Sequence, residues 1–96
     1  MMAYKSMGFI GGGRITRIFL EALNRKRVLP STVVVSDASG EVLQKLKEKF
    51  PKIQAAHGDN AKAASQDLVF LALHPPAVAG GLAEIKASLK PEAALV

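Results

Sequence analysis

The sequence predicts a parallel α/β sheet with helices on both faces. Two observations carry this. Short apolar strands alternate with amphipathic helical stretches along the whole chain, an order that favours parallel strands joined by right-handed helical crossovers. Hydrophobic residues make up 49% of the 96 residues but aromatics only 5%. The core is therefore built from Ala, Val, Leu and Ile, the residues of sheets buried on both sides.

Ser6 to Ile10 reads as the first strand, running into Gly11-Gly12-Gly13. A helix follows. Ile15, Ile18, Phe19, Ala22 and Leu23 recur at helical spacing as its expected buried face, with Arg14, Arg17, Glu21 and Arg25 opposite. Pro30-Ser31 punctuates, and Thr32 to Ser36 makes a second buried strand that Asp37 ends. Ser39-Gly40-Glu41 opens a second helix with Val42, Leu43, Leu46 and Phe50 inward, and Pro51 stops it. Lys52 to Ala56 is a short third strand. Asp59 or Asn60 caps a brief alanine-rich helix through about Ser65. Leu68 to Leu73 is the clearest strand, six apolar residues in a row, closed by a His74-Pro75-Pro76 turn. Val78, Leu82, Ile85 and Leu89 then mark a last helix, weakened by Gly80 and Gly81. Ala93 to Val96 begins a fifth strand, so residues 1–96 read as one domain truncated near that strand, a fragment of a longer frame.

Composition narrows the function classes. There is no cysteine, so neither disulfides nor thiolate metal sites arise, and a cytoplasmic setting is expected. No stretch reaches the roughly 20 apolar residues of a membrane helix. The run Met7–Gly13 is too short and glycine-rich for a signal peptide. The net charge of +5 admits a polyanion partner. The basic residues are spread over two segments and the single Tyr4 stands apart from them, so no stacking platform for nucleic acid is interleaved. No His, Asp or Glu cluster has metal-ligand spacing, and His57 is assigned no role.

The chemistry lies in Gly11-x-Gly13-x-x-Thr16, which follows a strand and opens a helix. Gly11 permits a tight turn, Gly13 lets the backbone approach a pyrophosphate, and the helix N-terminus supplies N–H groups and partial positive charge. Arg14 adds a formal charge beside it. Asp37 stands 21 residues beyond Thr16 at the end of the second strand, where a carboxylate accepts both hydroxyls of an adenosine ribose. The pattern is that of a Rossmann-type dinucleotide site. The competing reading is a structural turn with a capping aspartate. Thr16 replaces the usual third small residue, so the helix is expected to sit slightly further from the strand. Asp37 favours NAD over NADP by repelling a 2′-phosphate, while Ser36 and Ser39 offer hydroxyls to one. Ala72, Leu73, His74 and Pro75, after the fourth strand, fall at the switch point of the sheet, toward the nicotinamide. His74 reads either as an acid or donor or as an exposed turn histidine.

With these residues in view, the chain resembles the pyrroline-5-carboxylate reductase family. The likeness is carried by Met7-Gly8-Phe9-Ile10-Gly11-Gly12-Gly13, by Val34–Ser39, by Asp59-Asn60 and by Asp67–Pro75. It covers essentially the whole chain, but only the N-terminal cofactor domain of the family. The resemblance implies reduction of 1-pyrroline-5-carboxylate to L-proline with NADPH or NADH. It implies cofactor contacts from Gly11, Gly12, Gly13, Arg14 and Ile15, from Ser36, Asp37 and Ala38 at the adenosine ribose, and from Asn60 on the adenine side. Ala72, Leu73, His74 and Pro75 match the loop beside the nicotinamide ribose. The family usually has Asn at position 14, Ala or Gly at 16, Lys at 74 and often a basic residue at 38.

The resemblance further implies a small-molecule substrate and homo-oligomerisation for the full-length protein, both through a C-terminal helical domain beyond Val96. No catalytic residue is assigned within residues 1–96, and the isolated domain is expected to be inactive. The β-hydroxyacid dehydrogenases and the deazaflavin-linked NADP oxidoreductases share the opening motif and remain alternatives. The non-enzyme alternative is a nucleotide-sensing or polyanion-binding module.

Overall fold

The computed structural model describes residues 5–27, 29–72, 80–83, 85–90 and 94–95. Its elements run β1 Ser6–Ile10, α1 Arg14–Arg25, β2 Thr32–Asp37, α2 Gly40–Lys49, β3 Gln54–His57, α3 Asn60–Ala64, β4 Leu68–Leu71 and β5 Ala94–Leu95. Residues 80–83 and 85 are helical as well. The strands form one sheet in the order β3-β2-β1-β4-β5, and its pairings are parallel. The chain winds outward from β1 to β3, then crosses back to β4 on the other side of β1. This is the α/β Rossmann-type arrangement, with its switch point between β1 and β4.

Alternation along the strands feeds two cores. Met7, Phe9, Val33 and Val35 meet Leu20, Leu43 and Leu46 on one face. Ile10, Val34 and Val69 meet Ala56, Ala63, Ala64 and Ile85 on the other. The first face is filled by large side chains, including Phe9 stacked on Phe70 with ring centroids 4.8 Å apart. The second is filled by small ones, and there the backbones themselves come close. A methyl group at Gly8 would lie 1.8 Å from the carbonyl oxygen of Ala63. Gly8 thus lets α3 lie directly on β1, which brings the start of α3 to the carboxyl end of the sheet.

The rotation of α1 differs from the sequence expectation. Ile15, Ile18 and Phe19 are not core residues: they are 60%, 52% and 43% exposed, and Ala22 is exposed too. Thr16 and Leu20 are the fully buried positions, with Leu23 packed at the margin. The cause is local. The Thr16 hydroxyl donates to the carbonyl of Gly11, which ties that side of the first turn to the glycine corner. At about 3.6 residues per turn, positions 16, 20 and 23 share one face. Phe19 still meets an apolar neighbour, its ring centroid lying 5.2 Å from that of Phe70.

Element ends also shift. β2 runs on to Asp37, and β3 begins at Gln54 rather than Lys52. Phe50 to Ile53 is a turn closed by the Ile53 amide on the Phe50 carbonyl at 3.1 Å, so Lys52 cannot pair. Asp59, not Asn60, caps α3, accepting from the Lys62 amide at 3.1 Å. Leu82, expected inside, is 37% exposed, whereas Ile85 is fully buried. β4 stops at Leu71, and Ala72 follows it outside the strand. Leu73, the His74-Pro75-Pro76 turn and Val78 lie outside the described residues.

Two stability outcomes follow. Gly8→Ala must push α3 off β1, because the clash is with backbone, and should cost about 1–3 kcal/mol or more in a denaturant melt. Leu20→Ala should cost about 2–5 kcal/mol. Ile18→Gln, on the exposed face, should stay within about 0.5 kcal/mol of wild type; a core-like loss at Ile18 would contradict the observed rotation of α1.

Candidate functional site

The carboxyl ends of β1, β2, β3 and β4 form one edge, and the turns leaving it are cross-linked. Gly11 adopts φ +106°, a conformation reserved in practice for glycine. Its amide donates to the Ser36 carbonyl at 2.8 Å, joining the corner after β1 to the end of β2. The next amide, that of Gly12, donates to Asp37 Oδ2 at 2.8 Å. The other oxygen of the same carboxylate, Oδ1, accepts from the Ser39 amide at 2.8 Å. Asp37 therefore does cap its own turn, as the structural reading held, and it also grips the glycine corner. An ionised carboxylate offers about four acceptor positions, so two backbone bonds leave each oxygen able to accept once more.

Gly13 is the N-cap of α1, and a methyl group built on it would meet nothing within 4 Å. The protein itself thus sets no limit on size at this point; the open space lies over the helix N-terminus. α1 also starts without a side-chain cap and without an acidic residue in its first turn. α2 differs, with Ser39 Oγ accepting from the Val42 amide and Glu41 in the first turn, and α3 has its Asp59 cap. The first N–H groups of α1 and the positive end of its dipole are thus left for an external anion. A pyrophosphate fits this cradle in charge and in the clearance over Gly13. Arg14 and Ile15, the first residues of the helix, are exposed beside it.

Ser36 does not serve as the phosphate donor that the sequence suggested. It is fully buried, and its hydroxyl donates to Asn60 Oδ1 at 2.7 Å. The β2–β3 register and the short connection from His57 to Asn60 bring the two residues together at the sheet edge. Ser39 caps α2 by accepting at Oγ, which leaves its O–H able to donate. Ala38 is exposed on the β2–α2 turn, and its carbonyl accepts from His57 Nε2 at 2.9 Å. Ala72 stands just past β4, its amide donating to the Ile10 carbonyl at 2.9 Å, which keeps the chain beside β1 at the switch point. Leu73, His74 and Pro75 lie outside the described residues.

His57 is the residue that sequence reasoning passed over at this edge. Spacing along the chain gives it no partner. The signal was in the register: β3 pairs in parallel with β2, and His57 ends level with Asp37.

A groove of about 340 Å³ runs from Gly12 and Gly13 down between α1 and α2, with Val42 and Leu46 in its lining and Arg14, Arg17, Lys45 and Lys49 around it. Lys45 pairs with Glu41 at 3.4 Å, and Lys49 with Glu21. A larger hollow of about 440 Å³ opens at the amino ends of β2 and β3, lined by Leu29, Pro30 and Ile53 among others. It lies away from the edge where open α/β sheets bind ligands. Among the described residues no group of three or more His, Cys, Asp or Glu side chains is placed to hold a metal ion, and no helix is long and apolar enough to cross a membrane.

Thr16→Val tests the corner. The substitution keeps the shape and removes the donor to the Gly11 carbonyl, so it should cost about 1–3 kcal/mol in a denaturant melt; an unchanged midpoint would mean that the hydroxyl does not hold the turn.

In comparison with known proteins, a family model described as NADP oxidoreductase, coenzyme F420-dependent, matches residues 6–96. No curated protein matches the chain.

Proposed function

The chain belongs to the NADP oxidoreductase, coenzyme F420-dependent, family, and on that premise we propose that it is the cofactor half of a reductase of the pyrroline-5-carboxylate type. Membership makes it an NAD(P)-binding oxidoreductase domain. The finer reading rests on the Asp59-Asn60 and Asp67–Pro75 stretches, which resemble the proline enzyme. The reaction would be reduction of the C=N bond of 1-pyrroline-5-carboxylate to L-proline. When bound, the nicotinamide supplies the hydride; the protein supplies position and field.

The observation that carries the cofactor half of this reading is the uncapped start of α1 above Gly13, set next to Asp37. The helix N–H groups and Arg14 hold the pyrophosphate. The remaining acceptor positions of Asp37 take the ribose hydroxyls, with Ala38 alongside. Asn60, oriented by Ser36, lies on the adenine side. The chain runs past Ile10 at Ala72, toward the nicotinamide, where Leu73, His74 and Pro75 would continue the contact. The substrate would be held by a C-terminal helical domain that also forms a homo-oligomer, in the cytoplasm. Residues 1–96 alone would then bind cofactor without turnover, since no group among the described residues fixes an imine in near-attack geometry.

A second reading is favoured by the family's own description: a deazaflavin-linked NADP oxidoreductase, passing hydride between two cofactors. The two separate by assay of the protein that carries this domain. Loss of nicotinamide absorbance on adding pyrroline-5-carboxylate supports the first, and loss only on adding oxidised deazaflavin supports the second.

Cofactor preference has its own test. The carboxylate of Asp37 repels a 2′-phosphate and Ala38 brings no cation to offset it, so, against the NADP of the family's description, NADH should bind about tenfold more tightly than NADPH, roughly 1.4 kcal/mol. Separate calorimetric titrations of the two measure it. Tighter NADPH would mean that Asp37 does not face the ribose, and binding of neither would count against the cradle over Gly13.

A further inference from the structure

We propose that His57 is a positioning residue for the adenosine half of the site, holding the β2–α2 turn in the shape that presents Asp37. The proposal rests on the dinucleotide reading of this edge and adds a residue to it.

The turn Asp37-Ala38-Ser39 is short, and several hydrogen bonds among the described residues fix it. The Asp37 carboxylate is held by the Gly12 and Ser39 amides. The Asp37 carbonyl accepts from the Gly58 amide at 2.9 Å. The next carbonyl, that of Ala38, accepts from His57 Nε2 at 2.9 Å. A carbonyl oxygen only accepts, so Nε2 carries the proton. The ring also covers the start of α2: a methyl group built on Gly40 would stand 3.5 Å from Cε1, 3.7 Å from Nδ1 and 3.8 Å from Nε2 of His57, ordinary contact distances. One side chain from the edge strand thus holds the second carbonyl of the turn and lies beside the first residue of the helix.

The consequence for Asp37 is mechanical. The Ala38 carbonyl and the Ser39 amide belong to one rigid peptide plane. If the carbonyl loses its donor, that plane can rotate. Rotation carries the Ser39 amide off Asp37 Oδ1, and the carboxylate loses one of its two anchors. The glycine corner keeps its own ties through Gly11 and Thr16. An exposed edge histidine without a role would leave its ring nitrogens to water; here one of them is aimed at a single backbone oxygen in the turn that faces the ribose.

The effect should therefore divide between the two halves of the cofactor. His57→Phe keeps the ring over Gly40 and removes the donor. His57→Gln places an amide N–H where Nε2 stood. Calorimetry with NADH, AMP and nicotinamide mononucleotide, each on the wild-type chain and both variants, reads the division. For His57→Phe, affinity for NADH and AMP should fall about fivefold, the size of one net hydrogen bond, with nicotinamide mononucleotide unchanged. His57→Gln should return both to within about twofold of wild type. Solvent exchange of the Ser39 amide gives a readout besides affinity: it should quicken in His57→Phe and not in His57→Gln. Wild-type AMP affinity in a folded His57→Phe, equal losses for AMP and nicotinamide mononucleotide, or failure of Gln to rescue would each overturn the proposal. If His57→Phe does not fold, His57→Gln decides alone, since AMP binding weakened more than twofold there overturns it. A wild-type chain that binds neither AMP nor NADH would overturn the dinucleotide reading itself, an outcome distinct from a wild type that binds and a variant that binds equally well.

Discussion

The Asp37 carboxylate accepts one amide from the turn after β1 and one from the turn after β2. Each turn alone is a short loop with few contacts of its own. Joined through a charge, they become one object whose geometry both strands fix. Hydrogen bonds to an ionised acceptor contribute about 1.5–3 kcal/mol, more than neutral ones. The carboxylate is half-buried, where water competes less for it. Capping by Asp37 is therefore compatible with the proposed ligand contact, because each oxygen keeps an acceptor position. The capping bonds aim the carboxylate, and an aimed carboxylate is what a ribose diol needs.

The opposite side of the edge is organised by absence of bulk. Gly8, Ala63 and Ala64 let α3 press against β1 with backbone in contact, and at the start of the same helix Asn60 lies 2.7 Å from the Ser36 hydroxyl. A larger residue at position 8 would lift α3 and separate the pair. The large side chains on the α1–α2 face and the small ones on the α3 face are therefore not interchangeable ways of filling a core. One sets the thickness of a layer, and the other sets the position of a side chain at the site.

Much of this was legible from the sequence. The strands were, because buried parallel strands are runs of apolar residues with turn residues at their ends. The glycine corner was, because Gly11 is needed for a backbone conformation that other residues rarely adopt. The rotation of α1 was not. Its strongest apolar periodicity runs through Ile15, Ile18, Phe19 and Ala22, yet the buried side holds Thr16, whose hydroxyl bonds back to Gly11. A periodicity gives the pitch of a helix and the width of its apolar face. It does not say which bond at the first turn fixes the angle. His57 was hidden for a related reason. Its partner is 19 residues away and belongs to the backbone, so no pattern of side-chain types points to it; the strand register does.

The charges at the start of α1 complete the account. Cations in the first turn of a helix oppose its dipole, and acids there support it. α2 follows the rule, with Ser39 and Glu41 at its start and Lys47 and Lys49 at its end. α1 breaks it: Gly13 provides no cap, no acid follows, and Arg14 and Arg17 stand where an acid would help. Among the described residues no side-chain cap and no acid in its first turn compensates this choice, and a few tenths of a kcal/mol to about 1 kcal/mol of helix stability is given up for it. Departures from local rules of this kind concentrate where a ligand supplies the missing charge. An anion over Gly13 would satisfy the open N–H groups, the dipole and the arginines together, whereas an acidic side chain in the same place would satisfy them permanently and close the site.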